Sequence, residues 1–328
     1  MQVAPQVSVI IAVYNAASTL RTCLGSILRQ THVDFEVLCI DDCSSDSSLN
    51  ILEEYAKKDV RVRIFKSPEN LGAGIARNLG MTQAKSSFIA FCDADDAFPE
   101  QALATLYASV ISAQADICVA NIAYMDSQLR YFKPHPPMLA AMQIGSAQTV
   151  LPDAYPPLWI PYCFPRALFR REFLQSHNIQ FPNLLRGQDP VFMTHALCMA
   201  KKIMVIPDIV YLYRAPEYIK ATSGRKVSDY LTHISLVIDI FNQRGWHKQA
   251  ALYAYLVAHQ FLSLAFFRQF GRVERKKILN FFETLFAQFD TTLDFAPYFD
   301  VKDIQRQFSA VRAGFFSFIL FKLRERLR

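Results

Sequence analysis

The chain has 328 residues, of which 52% are hydrophobic and 20% charged, which excludes small stapled modules and disordered or collagen-like chains. A net charge of +6 suits an anionic substrate or a membrane surface, and it does not call for nucleic acid, so we expect no nucleic-acid partner. The seven cysteines form no Cys-x-x-Cys pair, which predicts reduced thiols and a cytoplasmic location. The first residues carry an apolar run without a cleavage pattern, so we expect a strand there and no signal peptide.

The first part of the chain alternates strand and helix patterns. A continuous apolar run predicts a buried strand at 7–13, and similar strand patterns follow at 35–41, 62–65 and 88–92. Helical spacing predicts helices between them at 18–30, 44–58 and 72–85. This alternation indicates an α/β domain with a mostly parallel sheet. Ligands of such sheets bind beyond the carboxyl ends of the strands, which is where two acidic clusters fall, at 41–46 and 93–96.

The later part of the chain changes character. Prolines crowd between 125 and 165, which predicts irregular loops over the sheet edge, and a helix at 189–201 and a strand at 203–213 follow. After about Glu217 the strand signals stop and long helical patterns take over. We therefore predict an α/β domain at 1–216 and a helical region at 217–328.

Three carboxylates, Asp93, Asp95 and Asp96, lie within four positions directly after the predicted strand 88–92. Such acids repel one another unless a cation lies between them, and carboxylates suit Mg²⁺ or Mn²⁺, which also bind phosphate oxygens. The alternative for Asp96 is a helix cap before Pro99. A cap explains one acid and not three, so the sequence favours a divalent metal site.

Two further clusters are less specific. The acids and serines at 41–46 open a predicted helix, so a helix cap explains them as well as a nucleoside-binding carboxylate does. The segment 70–78, NLGAGIARN, superficially resembles the dinucleotide G-x-G-x-x-G pattern, but Arg77 stands where the third glycine would be. Arg77 is better suited to meet a pyrophosphate or to bind an aspartate of the acidic cluster.

Together these segments resemble the GT-A type glycosyltransferases of family 2, inverting and non-processive. The resemblance runs from residue 7 to about 213 and is carried by VSVIIAVYNAASTLRTCLGSILRQT, FEVLCIDDCSSDSS, NLGAGIARNLGMTQAKSSFIAFCDADD, and RGQDPVFMTHAL followed by YLYR. It implies a Rossmann-like, mostly parallel sheet with helices on both faces. It also implies that 1–216 is the catalytic domain that binds the nucleotide sugar, and that 217–328 is a helical region for acceptor, membrane or partner contact.

The resemblance implies roles for donor-binding residues. Val13 and Tyr14, after the first strand, would hold the base and ribose of the donor together with Asp42. Arg77 matches the arginine of the family's A-R-N segment and would lie near the donor.

The resemblance also implies a metal site and a general base. Asp93 and Asp95 match the family's D-x-D pair, with Asp93 on the ribose side and Asp95 as the ligand of Mn²⁺ or Mg²⁺ on the diphosphate. Asp189 matches the acid of the family's G-E-D motif, which acts as general base. Without the resemblance, the sequence favours Asp189 as a helix cap before Pro190, a role that is compatible with that of a base. Gln188 departs from the pattern, since the family usually has Glu there.

The implied function is transfer of a single sugar from a nucleoside-diphosphate sugar, a UDP-sugar first among them, to a hydroxyl of a glycan or lipid-linked acceptor. The expected setting is bacterial surface polysaccharide synthesis, such as that of lipopolysaccharide. Two alternatives stay open. A nucleotidyltransferase that makes nucleotide sugars would carry a Gly-rich basic loop after the first strand, where this chain has YNAA. A catalytically weakened GT-A-like binding protein is suggested by Gln188.

The segment 314–328, GFFSFILFKLRERLR, combines large apolar residues with four basic ones. Such a segment can lie as a basic amphipathic helix on an anionic membrane, which would place the protein peripherally on the inner face of the membrane. It is equally explained as a terminal helix packed on the helical region.

Overall fold

The computed structural model describes residues 5–31, 33–126, 131–132, 142–159, 163–214, 225–262, 270–289 and 309. The chain divides into two compact units, Met1–Glu217 and Tyr218–Arg328. All seven cysteines are free thiols. The basic segment 314–328 lies outside the described residues, so its membrane contact stays a prediction.

Nine strands of the described residues form one sheet in the first unit. They are β1 (Val7–Val13), β2 (Phe35–Asp41), β3 (Val62–Lys66), β4 (Phe88–Phe91), β5 (Ile117–Met125), β6 (Tyr131–Phe132), β7 (Gln148–Val150), β8 (Ala167–Arg170) and β9 (Ile203–Arg214). Their order is β3-β2-β1-β4-β8-β5-β9-β7, with β6 beside β5. The strands β1 to β4 run parallel, β5 and β9 run parallel, and β8 is antiparallel to both of its neighbours. The strands β6 and β7 are also antiparallel to their neighbours. The predicted α/β fold is confirmed, with a mixed sheet in which the strands β1 to β4 form the parallel part.

Helices occur in both units of the chain. The first unit contains α1 (Leu20–Leu28), α2 (Ser48–Lys58), α3 (Ala73–Gln83), α4 (Ala102–Ala113), α5 (Arg171–Ser176) and α6 (Gln188–Met199). The second unit contains α7 (Arg225–Gln243), α8 (His247–Leu262) and α9 (Arg272–Phe286). None of the helices that the structure describes has both the length and the apolar character needed to cross a bilayer.

The central strands are buried because helices cover both of their faces. Every residue of β2 is buried, and so is every residue of β1 except Ala12. The two strands pair in register from Val7 with Phe35 to Val13 with Asp41, so they end at the same level. The loops that follow β1 and β2 therefore lie side by side at the carboxyl edge of the sheet.

The proline-rich stretch is more regular than the sequence predicts. The short strand β7 pairs with β9 at the sheet edge. Three 3₁₀ turns follow, at Pro152–Ala154, Pro156–Leu158 and Phe164–Arg166. Each turn has a proline in one of its first two positions, where the missing N–H of proline leaves no hydrogen bond unmade.

Helix α3 packs closely on β1 at Gly80, which gives a stability prediction. A Cβ atom at this position would lie 2.5 Å from Cγ2 of the fully buried Ile10. Because Ile10 sits in the middle of a covered strand, it has no room to move away. Gly80→Ala is therefore expected to lower the free energy of unfolding by about 1–3 kcal/mol, as measured by urea denaturation.

The matched control is Gly25→Ala in α1, where a Cβ atom would meet only the end of the Arg29 side chain, at 3.2 Å. This variant is expected to be neutral or up to about 1 kcal/mol more stable, since alanine is the better helix former. Equal urea midpoints for the two variants would contradict the close packing at Gly80.

Candidate functional site

The loops after β1 and β2 are held together by hydrogen bonds. Asn15, which adopts a positive φ of 49°, accepts the backbone N–H groups of Ser45 (2.8 Å) and Asp46 (3.3 Å) through Oδ1. Asp46 accepts the N–H of Ala17 through Oδ2 (3.0 Å) and that of Ser48 through Oδ1 (2.9 Å). The polar cluster after β2 therefore accepts a backbone N–H at the start of α2 and also fixes the loop after β1.

The predicted donor residues Val13, Tyr14 and Asp42 lie in or beside these loops. The carbonyl of Val13 accepts the N–H of Asp42 (2.8 Å), and Tyr14 is half exposed. The buried Asp42 carboxylate accepts the N–H groups of Leu71 (3.0 Å) and Gly72 (2.8 Å). Asp42 thus fixes the loop at the start of α3, the helix that carries Arg77.

Arg77 joins two of the predicted site residues. Its guanidinium donates to Asp93 Oδ1 (2.6 Å) and to Asp189 Oδ1 (3.0 Å), although these residues are far apart in the sequence. The Arg77 side chain is only 6% exposed, and its Cζ lies 4.7 Å from the ring centroid of Phe164 and 5.2 Å from that of Phe181. The aromatic rings and the two carboxylates together fix the orientation of the guanidinium.

Asp189 lies in the first turn of α6, at the amino end of the helix. The helix begins at Gln188 and its N-cap is Gly187, so Asp189 is not the cap that its position before Pro190 suggested. Burial raises the pKa of Asp189 to about 6, with Arg77 lowering it and Asp93 raising it. A half-buried carboxyl group with this pKa is charged at neutral pH and can still accept a proton.

The carboxylates of the acidic loop after β4, residues 93–96, differ in their exposure to solvent. The Asp95 side chain is exposed, whereas Asp96 is 1% exposed. Tyr211 donates its hydroxyl hydrogen to Asp96 Oδ2 (2.5 Å), and the N–H of Arg214 donates to Oδ1 (2.7 Å). Burial, followed by the charges of Asp93 and Asp95, raises the pKa of Asp96 to about 8. Asp96 is thus bound to β9 and is not the cap of a following helix, since α4 begins only at Ala102.

The carboxylates of Asp93 and Asp95 fit a divalent cation that is bound by the protein and a substrate together. In the part of the chain that the structure describes, no three His, Cys, Asp or Glu side chains gather as a metal cage. Desolvation and the charge of Asp93 raise the pKa of Asp95, so a cation beside these two carboxylates would relieve their repulsion. Mg²⁺ is usually bound by one or two carboxylates together with substrate phosphates, which suits Asp93 and Asp95.

Several residues of the site were not found from the sequence. Tyr211 and Arg214 belong to the YLYR segment, to which no role was given, and Asn15 follows β1 as an ordinary turn residue. Phe164 and Phe181 carry no motif that distinguishes them from core residues. Gln188 packs its aliphatic part over Gly74, since a Cβ atom there would lie 3.4 Å from Gln188 Cγ.

Curated relatives of the chain are bacterial glycosyltransferases. The chain is 31% identical to the "Uncharacterized glycosyltransferase EpsJ" of Bacillus subtilis, over 64% of this chain and 61% of that protein. It is also 31% identical to a poly(ribitol-phosphate) beta-glucosyltransferase of Bacillus spizizenii, over 63% of this chain and 32% of that protein. The chain thus spans about three fifths of the first relative and one third of the second.

Solved structures share the fold. Staphylococcus aureus TarS 1-349 in complex with UDP has a TM-score of 0.71 at 21% identity, over 94% of this chain and 91% of that one. The same TarS fragment has also been solved with UDP-GlcNAc. The mannosyltransferase PcManGT of Pyrobaculum calidifontis, in complex with GDP-Man and Mn²⁺, has a TM-score of 0.58 at 17% identity, over 95% and 87%.

The family model described as "Glycosyl transferase family 2" matches residues 8–177, just over half of the chain. This stretch contains all but the first residue of β1, all of β2 to β4, the helix α3 that carries Arg77, and the loops that carry Asp42, Asp93 and Asp95. The chain therefore belongs to glycosyl transferase family 2 and has the GT-A fold.

Proposed function

We propose that this chain is an inverting, metal-dependent glycosyltransferase that moves a single sugar from a UDP-sugar to a hydroxyl of a glycan or lipid-linked acceptor. The observation that carries the proposal is the buried Arg77 guanidinium, which bonds both Asp93 (2.6 Å) and Asp189 (3.0 Å). The positively charged guanidinium of Arg77 thus lies between a carboxylate of the D-x-D pair and the candidate base. Bacterial surface polysaccharide synthesis is the proposed setting, supported by the names of the relatives.

Asp189 is the proposed general base. Inversion requires the acceptor hydroxyl to approach the sugar from the side opposite the leaving diphosphate, with a base within hydrogen-bond reach of its proton. Asp189 stands at the start of α6 with one oxygen bound to Arg77, and its side chain is 37% exposed. The bond to Arg77 fixes the carboxylate, and the partial exposure leaves it accessible to an acceptor.

On the side of the site that would bind the sugar donor, the negative charge of the diphosphate has to be compensated. A departing nucleoside diphosphate gains charge, and a bound Mn²⁺ or Mg²⁺ would stabilise that charge as a Lewis acid. Asp93 and Asp95 are the residues that would hold the ion, and Arg77 orients Asp93. The half-exposed Tyr14, beside the end of β1, is the proposed contact of the base and ribose.

The cytoplasm is the proposed location, because nucleotide-sugar donors and reduced thiols both suit it. Contact with the inner face of the membrane through 314–328 remains a proposal from the sequence of that segment.

Calorimetric titration of UDP with Mn²⁺, with Mg²⁺ or with EDTA tests the metal-dependent donor site. Wild-type protein is expected to bind UDP at least about tenfold more tightly with Mn²⁺ than with EDTA, and Asp95→Asn is expected to abolish this difference. The reason is that Asn lacks the charge that attracts the ion, while its size and shape are nearly the same. Asp208→Asn, the same change at an exposed aspartate of β9, is the control.

Three results would count against the proposal. Equal UDP affinity with Mn²⁺ and EDTA would remove the metal from the donor site. Metal-dependent UDP binding without any release of UDP from UDP-GlcNAc, UDP-glucose or UDP-galactose, with or without added acceptors, would favour the binding protein. Release of pyrophosphate from UTP and a sugar phosphate would identify a nucleotidyltransferase.

A further inference from the structure

The loop that carries the acidic cluster is attached to the end of β9 at several points. Ala97 and Leu212 exchange two backbone hydrogen bonds, from Ala97 N to Leu212 O (3.1 Å) and from Leu212 N to Ala97 O (2.8 Å). Arg214 Nε donates to the carbonyl oxygen of Asp95 (2.7 Å). On the other side of the loop, Thr19 Oγ1 donates to the carbonyl of Ala94 (3.0 Å). The backbone of the cluster is therefore held by residues that have no part in the D-x-D motif.

The Tyr211 hydroxyl is the centre of this attachment. It accepts the backbone N–H of Asp93 (3.1 Å) and donates to Asp96 Oδ2 (2.5 Å), and the Tyr211 side chain is fully buried. The second oxygen of Asp96 accepts the N–H of Arg214 (2.7 Å). Both oxygens of Asp96 are thus engaged inside the protein, whereas the Asp95 side chain is exposed.

We propose that Tyr211 is a positioning residue which, through Asp96 and the Asp93 amide, holds the acidic loop in the geometry that metal and donor binding require. The proposal rests on the metal-dependent function proposed above. It assigns the three acids different roles, with Asp93 and Asp95 facing the ligand and Asp96 as the buried anchor.

The physical reason lies in the precision that a metal site needs. Ligand groups work only when held within about 0.5 Å of the productive geometry by a supporting shell. This loop lies outside regular secondary structure apart from its bridge to β9, so its supporting shell has to come from side chains. Without the Tyr211 hydroxyl, the Asp93 amide loses its acceptor and Oδ2 of the buried Asp96 loses its donor, and the loop relaxes to find other partners.

Tyr211→Phe tests the proposal. It is expected to weaken Mn²⁺ binding in the presence of UDP by about 10–100-fold, the usual effect of losing a residue that supports metal ligands. It is also expected to raise the Mn²⁺ concentration for half-maximal UDP release from a sugar donor, with kcat recovering at saturating Mn²⁺. A merely structural defect would not show this recovery.

The matched control is Tyr253→Phe in the helical unit. Tyr253 is also fully buried, and its hydroxyl bonds His233 Nε2 (2.9 Å), so the variant loses a comparable buried hydrogen bond. Its Mn²⁺ affinity is expected to equal that of the wild type. Unchanged Mn²⁺ affinity in Tyr211→Phe, or equal losses in both variants, would overturn the proposal.

Amide hydrogen exchange of the wild-type chain gives a second measurement that needs no ligand. The amides of Asp93 and Ala97 are expected to exchange at least about tenfold more slowly than those of an open loop, because their acceptors, Tyr211 Oη and Leu212 O, belong to β9. Fast exchange at Asp93 would overturn the anchor even if Tyr211→Phe failed to fold. Slow exchange together with metal-independent UDP binding would instead refute the proposed metal site and leave the anchor intact.

Discussion

Replacing Asp189 with Asn is expected to lower kcat for sugar transfer by about 10²–10⁴-fold, because the amide cannot accept the proton of the acceptor hydroxyl. Donor binding is expected to change little. Asn keeps the size of Asp and can still accept the Arg77 hydrogen bond now made to Oδ1 (3.0 Å). The measurements are the initial rate of UDP release with saturating acceptor and the affinity for UDP by calorimetry.

The pH profile of the wild type supplies an independent check on the same residue. Asp189 must be ionised to act as a base, and burial raises its pKa to about 6. The value of kcat/KM is therefore expected to rise with pH through about 6 and to level off above pH 7. Asp208→Asn should keep this acid limb, the rise of kcat/KM through about pH 6, and Asp189→Asn should lose it. A variant at Asp189 that retained both rate and limb would show that another group takes the proton.

The fold was predictable because its signals are local. The strands β1, β2 and β4 are mainly apolar, and the burial of nearly every residue in them is what such segments predict. The short strand β8 gave no comparable signal. Its four residues, Ala167–Arg170, follow a proline-containing turn and run antiparallel between β4 and β5. That placement depends on long-range pairing, which a local pattern does not encode.

The candidate site was predictable as a set of residue types and not as a network. The acids at 93–96 stood out as a cluster, but the separate role of Asp96 depends on Tyr211, 115 positions away in the sequence. In the same way, Asp189 fits a helix cap when only its neighbours are considered. Its bond to Arg77 places it beside the D-x-D pair instead. Burial and partner identity decide these roles, and both arise only when distant segments meet.

Arg77→Met is expected to lower kcat by about 10²–10³-fold, the loss typical of removing one preorganised electrostatic contact from an active site. The variant leaves Asp93 and Asp189 close together without their shared cation, and it removes the charge that lies over Phe164. Breaking a buried ion pair in this way also costs about 3 kcal/mol of stability, the lower end of the usual range, since both carboxylates keep some access to solvent.

Arg63→Met is the matched control for this change. Arg63 pairs with the buried Glu36 (2.7 Å) and lies over the ring of Phe65 (5.1 Å), so it loses a similar ion pair and aromatic contact away from the acidic cluster. It is expected to lose stability and to keep the wild-type kcat. A comparison of unfolding midpoints with rates for the two variants therefore separates the electrostatic role of Arg77 from its contribution to folding.

The acid limb of the pH profile, which is the rise of kcat/KM with pH, shows whether Arg77 acts on the base as well as on the donor side of the reaction. Arg77 lowers the pKa of Asp189, and Asp93 raises it. In Arg77→Met burial and Asp93 still raise this pKa and only the smaller lowering effect of Arg186 remains, so the limb is expected to move from about 6 to higher pH, which can be measured from kcat/KM between pH 5 and 9. If the rate fell while the limb stayed near 6, Arg77 would act on the donor alone. A shifted limb would instead mean that one guanidinium serves both sides of the reaction, since the cation that orients Asp93 would also keep the base ionised at neutral pH.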